Sequence, residues 1–221
     1  MSTTTLPKSV MNLSLTMPMT PFQNVYVFSC GSNESSTALY KLLRRQVESR
    51  SGLKHIIVDL TMDSSIDREL GLKSAGQLLK FLQGEASVSN ALSETKYTNC
   101  SVMTTAMSYI NDLFLLTVDW GKRLADLSNS ADIVIVNIGS LGNIVSSILY
   151  NSLTSIMRGI VVVKATPINI RTALLKLTGF QTLENTVVVC TDYTESSKTM
   201  YEKLQSKFQT RILSDTEVLS L

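Results

Sequence analysis

The residues with the strongest potential for chemistry form a loop of small side chains at residues 29–37, which reads Ser-Cys-Gly-Ser-Asn-Glu-Ser-Ser-Thr. The loop follows an apolar run and precedes a stretch with helical periodicity. Backbone N–H groups in such a loop, together with the dipole of the following helix, favour the binding of an anion. We therefore predict a vestigial phosphate-binding loop made of Cys30, Gly31, Ser32, Asn33, Glu34, Ser35, Ser36 and Thr37.

A working phosphate loop needs a lysine that reaches the β- and γ-phosphate oxygens and a hydroxyl group for Mg²⁺. Ser36 stands at the lysine position, Ser35 stands at the position of the second glycine, and Thr37 keeps the hydroxyl. No lysine or arginine occurs between Lys8 and Lys41. A substitute positive charge therefore cannot come from within the loop.

Two further polar residues follow apolar runs elsewhere in the chain. Asp59 comes directly after Ile56-Ile57-Val58, and Asn137 comes directly after the run 133–136. In an open parallel sheet the carboxyl ends of the strands meet at one edge, so both residues are expected near the loop. A strand-end aspartate such as Asp59 either holds a metal ion or catalytic water, or only caps the following turn, and the sequence leaves both readings open.

The elements that would position these residues alternate between strand and helix. Runs rich in β-branched residues lack period-2 alternation, as expected for strands buried on both faces of a parallel sheet. The runs lie at 25–28, 56–58, 133–136, 160–163 and 187–190, and the helical periodicities lie at 37–49, 170–177 and 194–208. Two short helices joined at Gly84 are expected within 74–95. This alternation predicts an α/β fold with a doubly wound, mainly parallel sheet and helices on both faces.

The length suits one domain, which we place at residues 24–221 after a flexible N-terminal segment, 1–23. The uncharged stretch 133–157 is interrupted by serine and asparagine, and is expected to form strand, loop and helix instead of a membrane span. Within it, apolar residues between 139 and 155 recur at helical spacing. That stripe either packs on the protein's own core or meets a partner.

Composition argues against several functions. The 20 lysines and arginines are balanced by 18 aspartates and glutamates, so no basic surface for nucleic acid is expected. Three scattered cysteines and a single histidine, His55, argue against a disulfide framework, a zinc site and a Ser-His-Asp triad. We expect His55 to flank a strand, and we predict no metal site and no catalytic residue. The cysteine usage suits a reducing cytoplasm.

The loop resembles the S-A-x-P-G-E-G-K-S/T loop of the cytoplasmic tyrosine-kinase domains that accompany bacterial polysaccharide chain-length regulators, relatives of the MinD/ParA-like ATPases. Glu34 matches the glutamate of that loop. The segment 56–59 is similar to the family's second strand, L-I-D-A-D-L-R-R, with Asp59 at the first aspartate. The segment 131–137 resembles F-D-Y-V-I-I-D, with Asn137 in place of the Walker B aspartate.

The resemblance continues elsewhere and spans about residues 24–192. Leu70-Gly71-Leu72, the run 76–85 and Asn90-Ala91-Leu92 are similar to the family's L-G-L…G-L-S-D-x-L-x-G-E…A-L segment, and 164–177 resembles the strand, loop and helix that follow. It implies a P-loop NTPase-like fold. The family's kinases also carry a C-terminal tyrosine cluster, whereas residues 211–221 contain no tyrosine.

Because the departures fall on the positions that do chemistry, the resemblance implies a pseudo-ATPase or pseudokinase in bacterial exopolysaccharide or capsule synthesis. Its expected partner is a membrane polysaccharide copolymerase or a homologous subunit, in a homo- or hetero-oligomer. The protein would then be cytoplasmic and would contact the membrane only through that partner. No cofactor is expected, although weak binding of Mg-ATP is left open. The alternative is a weakly active nucleotide-dependent kinase or ATPase that uses Thr37, Asp59 and a cation from a neighbouring subunit.

Overall fold

The computed structural model describes residues 21–31, 35–61, 65–72, 77–104, 112–180, 185–191, 202 and 211–214. The strands of these residues are β1 (Val25–Cys30), β2 (His55–Asp59), β3 (Ser93–Glu94), β4 (Cys100–Thr104), β5 (Ile133–Ser140), β6 (Arg158–Lys164), β7 (Thr186–Thr191) and β8 (Arg211–Ser214). The helices are α1 (Ser36–Ser49), α2 (Ser65–Leu70), α3 (Leu78–Gln83), α4 (Val88–Ala91), α5 (Asp112–Leu115), α6 (Trp120–Ser128), α7 (Ile144–Leu153) and α8 (Pro167–Leu177).

The strands form an eight-stranded sheet in the order β3-β4-β2-β5-β1-β6-β7-β8. The short β3 pairs antiparallel with β4, and the other neighbours pair in parallel. The central strand β1 lies between β5 and β6, so the loop that follows β1 leaves the sheet at the middle of the edge formed by the carboxyl ends of the strands. The predicted α/β fold with a mainly parallel sheet is confirmed.

Successive residues of each strand face opposite sides, which creates two buried layers. The first layer contains Tyr26 and Phe28 of β1 and is covered by α1 and α2. The second layer contains Val25 and Val27 and is covered by helices α3 to α8. Strands β1, β2 and β7 are buried along their whole length, which explains why they read as apolar runs and not as alternating ones.

The five predicted strands are confirmed as β1, β2, β5, β6 and β7, and the helix expected at 37–49 is confirmed as α1. The pair of short helices is confirmed as α3 and α4. Gly84 ends α3 in a left-handed conformation (φ 85°), and Ser87 caps α4. The helix expected at 170–177 begins earlier, at Pro167. Apart from residue 202, the helix expected at 194–208 lies outside the described residues.

The uncharged stretch 133–157 forms strand β5, a short turn and helix α7, as predicted. No helix among the described parts of the chain combines the length and the apolar character that a membrane span requires. Residues 1–20 lie outside the described residues, so a flexible N-terminal segment remains a prediction. From Phe22 onwards the chain is attached to the sheet region, since the Phe22 N–H donates to the carbonyl of Ile156 at 3.4 Å.

Candidate functional site

A cavity of about 240 Å³ lies at the carboxyl ends of β1 and β5, beside the start of α1. Its lining residues are Cys30, Ser36, Leu39, Tyr40, Thr61, Asn137, Gly139 and Ser140. A bulge shapes it, because the pairing of β1 with β5 shifts register after Phe28. Gly139 makes this bulge with φ 78°, a backbone conformation that other residues rarely adopt.

Asp59 and Asn137 meet on the same side of the sheet, because β2 and β5 are neighbours that pair these two residues. The Asn137 side-chain amide donates to Asp59 Oδ1 at 2.7 Å, and the Thr61 hydroxyl donates to both carboxyl oxygens at 3.0 Å. The backbone N–H of Thr61 also points at Asp59 Oδ1, at 3.4 Å. These hydrogen bonds from Thr61 are the contacts expected of an aspartate that caps the turn after a strand.

The other atoms of this cluster are also hydrogen-bonded within the protein. Asn137 Oδ1 accepts the backbone N–H of Gly139 at 3.2 Å, and the Thr61 hydroxyl lies 3.3 Å from the hydroxyl of Tyr40. Asp59 and Asn137 are both 0% exposed. The cavity is therefore lined by Thr61 and Asn137, while the carboxyl group of Asp59 lies behind them and is occupied by protein donors.

Burial has a large effect on the acidity of Asp59. Desolvation raises the pKa of its carboxyl group from 3.8 to about 8, although the hydrogen bonds from Thr61 and Asn137 oppose this rise. The nearby negative charge of Asp67 acts in the same direction as burial. At pH 7 the carboxyl group is therefore mostly neutral.

The predicted loop residues at the start of α1 lie in different environments. Ser35 is buried, and its hydroxyl accepts the backbone N–H of Lys164 at 3.1 Å, which ties the loop to the end of β6. Ser36 is half-buried and lines the cavity, whereas Thr37 is exposed and is not among the lining residues. The serine in the lysine position therefore faces the cavity, and the hydroxyl expected from Thr37 does not. Ser32, Asn33 and Glu34 lie outside the described residues.

Gly31 is packed against α8 and the sheet. A Cβ atom placed on Gly31 would lie 2.7 Å from Val163 Cγ1 and 3.0 Å from the Cβ of Ala173. Its backbone N–H donates to the carbonyl of Val162 at 2.9 Å. Close contact between the loop and helix α8 thus requires a glycine at this position.

A lysine from outside the loop reaches it. Lys176 Nζ, carried by α8, donates to the carbonyl of Gly31 at 3.2 Å. Sequence reasoning excluded a substitute cation within the loop and did not identify this one. Its only sequence signal is its position near the end of the helix that follows β6.

Cys30 and His55 have structural surroundings. Burial raises the pKa of the Cys30 thiol to about 11, which opposes formation of the reactive thiolate. His55 is the first residue of β2, as expected for a histidine that flanks a strand, and its Nδ1 lies 2.9 Å from the carbonyl oxygen of Leu53. In the described parts of the chain, no three His, Cys, Asp or Glu side chains are grouped so that they could hold a metal ion.

No protein-family model and no curated protein sequence matches the chain. Solved structures do. MinD from Aquifex aeolicus superposes with a TM-score of 0.65 at 15% identity, covering 89% of this chain and 86% of MinD. A ParA family ATPase from Chlorobium tepidum gives 0.61 at 13%, covering 87% and 88%. The BceF tyrosine kinase domain gives 0.51 at 15%, covering 94% and 72%.

The chain has the fold of the MinD/ParA-like P-loop ATPases. At these identities the likeness establishes the fold alone. Within this fold, the structure brings Cys30, Ser36, Asn137 and, behind them, Asp59 together at one edge of the sheet. The remaining described loop residues, Gly31, Ser35 and Thr37, pack against the protein or face outward.

Proposed function

We propose that this protein is a non-catalytic relative of the P-loop ATPases that acts through protein–protein interaction. Its expected setting is the cytoplasmic side of bacterial exopolysaccharide or capsule synthesis, with a membrane polysaccharide copolymerase or a homologous subunit as partner. The observation that carries the proposal is the placement of Asp59, which is fully buried and has both carboxyl oxygens hydrogen-bonded to Thr61 or Asn137.

The described side chains do not fit Mg-ATP. Mg²⁺ is a hard cation that proteins bind through one or two carboxylates together with substrate phosphates and water. The carboxyl group of Asp59 accepts hydrogen bonds from Asn137 and Thr61, and Asn137 itself is neutral. Ser36, which replaces the loop lysine, faces the cavity without a positive charge. Phosphoryl transfer depends on this charge and on the metal, so efficient turnover is not supported.

The proposed setting derives from the sequence resemblance to polysaccharide tyrosine-kinase domains. The fold likeness to the BceF tyrosine kinase domain is compatible with it. The membrane would be contacted only through the partner.

The first test measures thermal unfolding of the purified protein with and without millimolar Mg-ATP, Mg-ADP or Mg-GTP. Binding at 100 times the Kd would stabilise the folded state by about 2.7 kcal/mol, which is a rise in Tm of roughly 5–10 °C for a chain of this size. We expect no rise. A rise that depends on Mg²⁺ would refute the proposal in its strict form, in which no nucleotide binds, and would favour the alternative enzyme.

The alternative function is a weakly active kinase or ATPase, and one observation favours it. Lys176 places an amine beside the loop carbonyl of Gly31, where it could contact a bound anion. In that case Lys176→Gln would remove any nucleotide-dependent rise in Tm and any residual hydrolysis. Lys41→Glu, at an exposed position on α1, is a control that would leave both unchanged.

A further inference from the structure

The large hydrophobic side chains that are exposed in the described residues all lie on one side of the sheet. They are Leu113, Leu116, Ile144, Ile148, Ile168 and Leu175. These residues belong to α5 and the turn that follows it, to α7, and to α8, which all cover the second layer. The described residues of α1 and α2, on the opposite side, contribute none.

Helix α7 has an apolar inner side and an apolar outer side. Leu149 and Leu153 are buried against the sheet, while Ile144 and Ile148, one turn apart on the outside, are 76% and 50% exposed. The helix contains no charged residue. Of the apolar stripe predicted from the sequence, some side chains therefore pack in the core and others face outward.

Helix α8 repeats this arrangement, with one exposed positive charge, Arg171, on its outer side. Ile168, Arg171 and Leu175 are exposed and spaced so that they share the outer side of the helix. Ile170, Leu174 and Leu177 are buried beneath them.

The two helices are neighbours. Helix α7 packs on β5 and β1, helix α8 packs on β6, and β1 lies between β5 and β6 in the sheet. A Cβ atom placed on Gly142, just before α7, would lie 3.9 Å from Lys176 Nζ on α8. The exposed side chains Ile144, Ile148, Ile168, Arg171 and Leu175 thus define one surface, the α7–α8 surface.

The charge of this part of the chain has one sign. Residues 133–183 include no aspartate or glutamate, but they include Arg158, Lys164, Arg171 and Lys176. Of these, Lys164 and Arg171 are exposed. On helices α7 and α8 a partner therefore meets aliphatic anchors, uncharged serine and asparagine side chains, and the guanidinium group of Arg171.

We propose that the α7–α8 surface binds an amphipathic helix of a partner protein, with an apolar stripe for the isoleucines and an acidic residue beside it for Arg171. This inference rests on the proposed function, because it names the surface and the chemistry of the protein–protein interaction. Aliphatic anchors with uncharged polar neighbours suit the centre of a protein interface, and complementary charge supplies specificity.

Charge and polarity favour this occupant over two others. A second copy bound through the same surface would bring Arg171 of both subunits to one interface, and neither α7 nor α8 carries an acidic residue to pair with it. An exposed cation near an anionic bilayer contributes roughly 1 kcal/mol, so Arg171 alone provides little attachment. The polar side chains of Ser152 and Ser155 on the outer side of this region also suit a protein partner better than acyl chains.

The test uses the full chain labelled at isoleucine methyl groups, without nucleotide, and two synthetic 18-residue helical peptides. Both peptides carry leucines at helical spacing, and they differ only in having glutamate or lysine beside the leucines. We expect the glutamate peptide to bind with a Kd below 1 mM and to shift the NMR signals of Ile144, Ile148 and Ile168. The signals of Ile57 and Ile135, buried in the first layer, serve as internal references.

Variants of the surface provide the specificity control. We expect Arg171→Glu and the pair Ile144→Ser with Ile148→Ser each to weaken binding at least tenfold. Lys41→Glu makes a similar charge change at an exposed position on α1 and is expected to leave the Kd unchanged. Because the substituted side chains are exposed, unchanged unfolding curves will show that these variants are folded.

Each of four results would overturn the proposal. They are no binding of the glutamate peptide at 1 mM, equal binding of the lysine peptide, binding only to vesicles containing 30% phosphatidylserine, and a self-association that Ile148→Ser abolishes. Mg-ATP binding in the thermal test would refute the strict form of the proposed function without changing the peptide result. A failed peptide test would leave the thermal test unaffected, so the two failures can be told apart.

Discussion

Two regions of the molecule differ in whether their side chains already have partners. They are the cavity at the ends of β1 and β5 and the α7–α8 surface. In the cavity, Asp59, Thr61 and Asn137 are hydrogen-bonded to one another. On the surface, Ile144 and Ile168 are more than 70% exposed. Polar groups that already have internal partners need no ligand, whereas exposed aliphatic groups gain free energy only when another molecule covers them.

This difference indicates which of the two regions can gain free energy by binding another molecule. A ligand in the cavity must compete with short hydrogen bonds that the protein has already made. A partner on the α7–α8 surface removes apolar area from water without breaking a hydrogen bond of the fold. On this comparison, we expect a partner to bind at the helices and no ligand to bind in the cavity.

The largest effect is expected when a second carboxyl group is placed beside the cavity, which tests whether the buried polar cluster can accept a charge. Asn137→Asp replaces the amide that donates to Asp59 with a second carboxyl group, 2.7 Å away and fully buried. Burying an unpaired charge costs about 3–5 kcal/mol, so we expect a loss of this size at pH 8 and a smaller loss at pH 5. Urea unfolding at the two pH values measures it.

Asn143→Asp is the matched control. Asn143 is an exposed residue that caps α7 through its side-chain oxygen, and aspartate caps a helix equally well, so we expect no loss of stability. We also expect 10 mM Mg²⁺ to leave the stability of Asn137→Asp unchanged. Recovery with Mg²⁺ would show that the cavity can become a metal site, and the comparison would fail.

The second prediction sharpens the comparison within one helix. Leu149 is 2% exposed and Ile148 is 50% exposed, although they are adjacent on α7. We expect Leu149→Ala to lower the free energy of unfolding by about 2–4 kcal/mol because it leaves a cavity in the core. Ile148→Ala should change it by less than about 0.5 kcal/mol. A large loss for Ile148→Ala would show that this side chain is part of the core and is not available to a partner.

The third prediction concerns the protonation of Asp59. Because its pKa is raised from 3.8 to about 8, the folded protein keeps a proton that the unfolded chain releases between these pH values. The stability that this group contributes is complete below the unfolded pKa and is lost as pH rises towards 8, by about 1.4 kcal/mol per pH unit. Asp59→Asn removes this dependence.

The measurement is the difference in unfolding free energy between the wild type and Asp59→Asn at pH 6.5 and pH 7.5, which cancels the contributions of other groups such as His55. Burial lowers the pKa of His55, so its own effect acts when pH falls and has the opposite sign. We expect the difference to change by about 1 kcal/mol over this interval. Parallel stabilities would mean that Asp59 is already ionised in the folded protein.

The sequence allowed the central strands to be predicted because each is buried on both faces. A run such as Val187-Val188-Val189 has few alternatives to a buried strand. The position of Asp59 and Asn137 beside the loop followed from the parallel topology. Their mutual hydrogen bond did not, because it depends on the register that pairs β2 with β5.

Other parts required the structure. Strand β4 carries Cys-Ser-Val-Met-Thr, which lacks a β-branched run, and it forms because it extends the sheet beside β2. Helices α2 and α6 were not predicted, since α2 is six residues long and α6 is nine. The contact of Lys176 with Gly31 joins residues far apart in the chain, so no local pattern could indicate it.

Gly31 shows why a familiar loop residue can mislead. In a phosphate loop a glycine lets the backbone approach a phosphate, but here the missing side chain leaves room for Val163 and Ala173. Substitution would push α8 away from β6 whether or not a nucleotide ever binds. The contacts with these two neighbours are enough to require a glycine at this position, so its presence in the loop is not by itself a sign of phosphate binding.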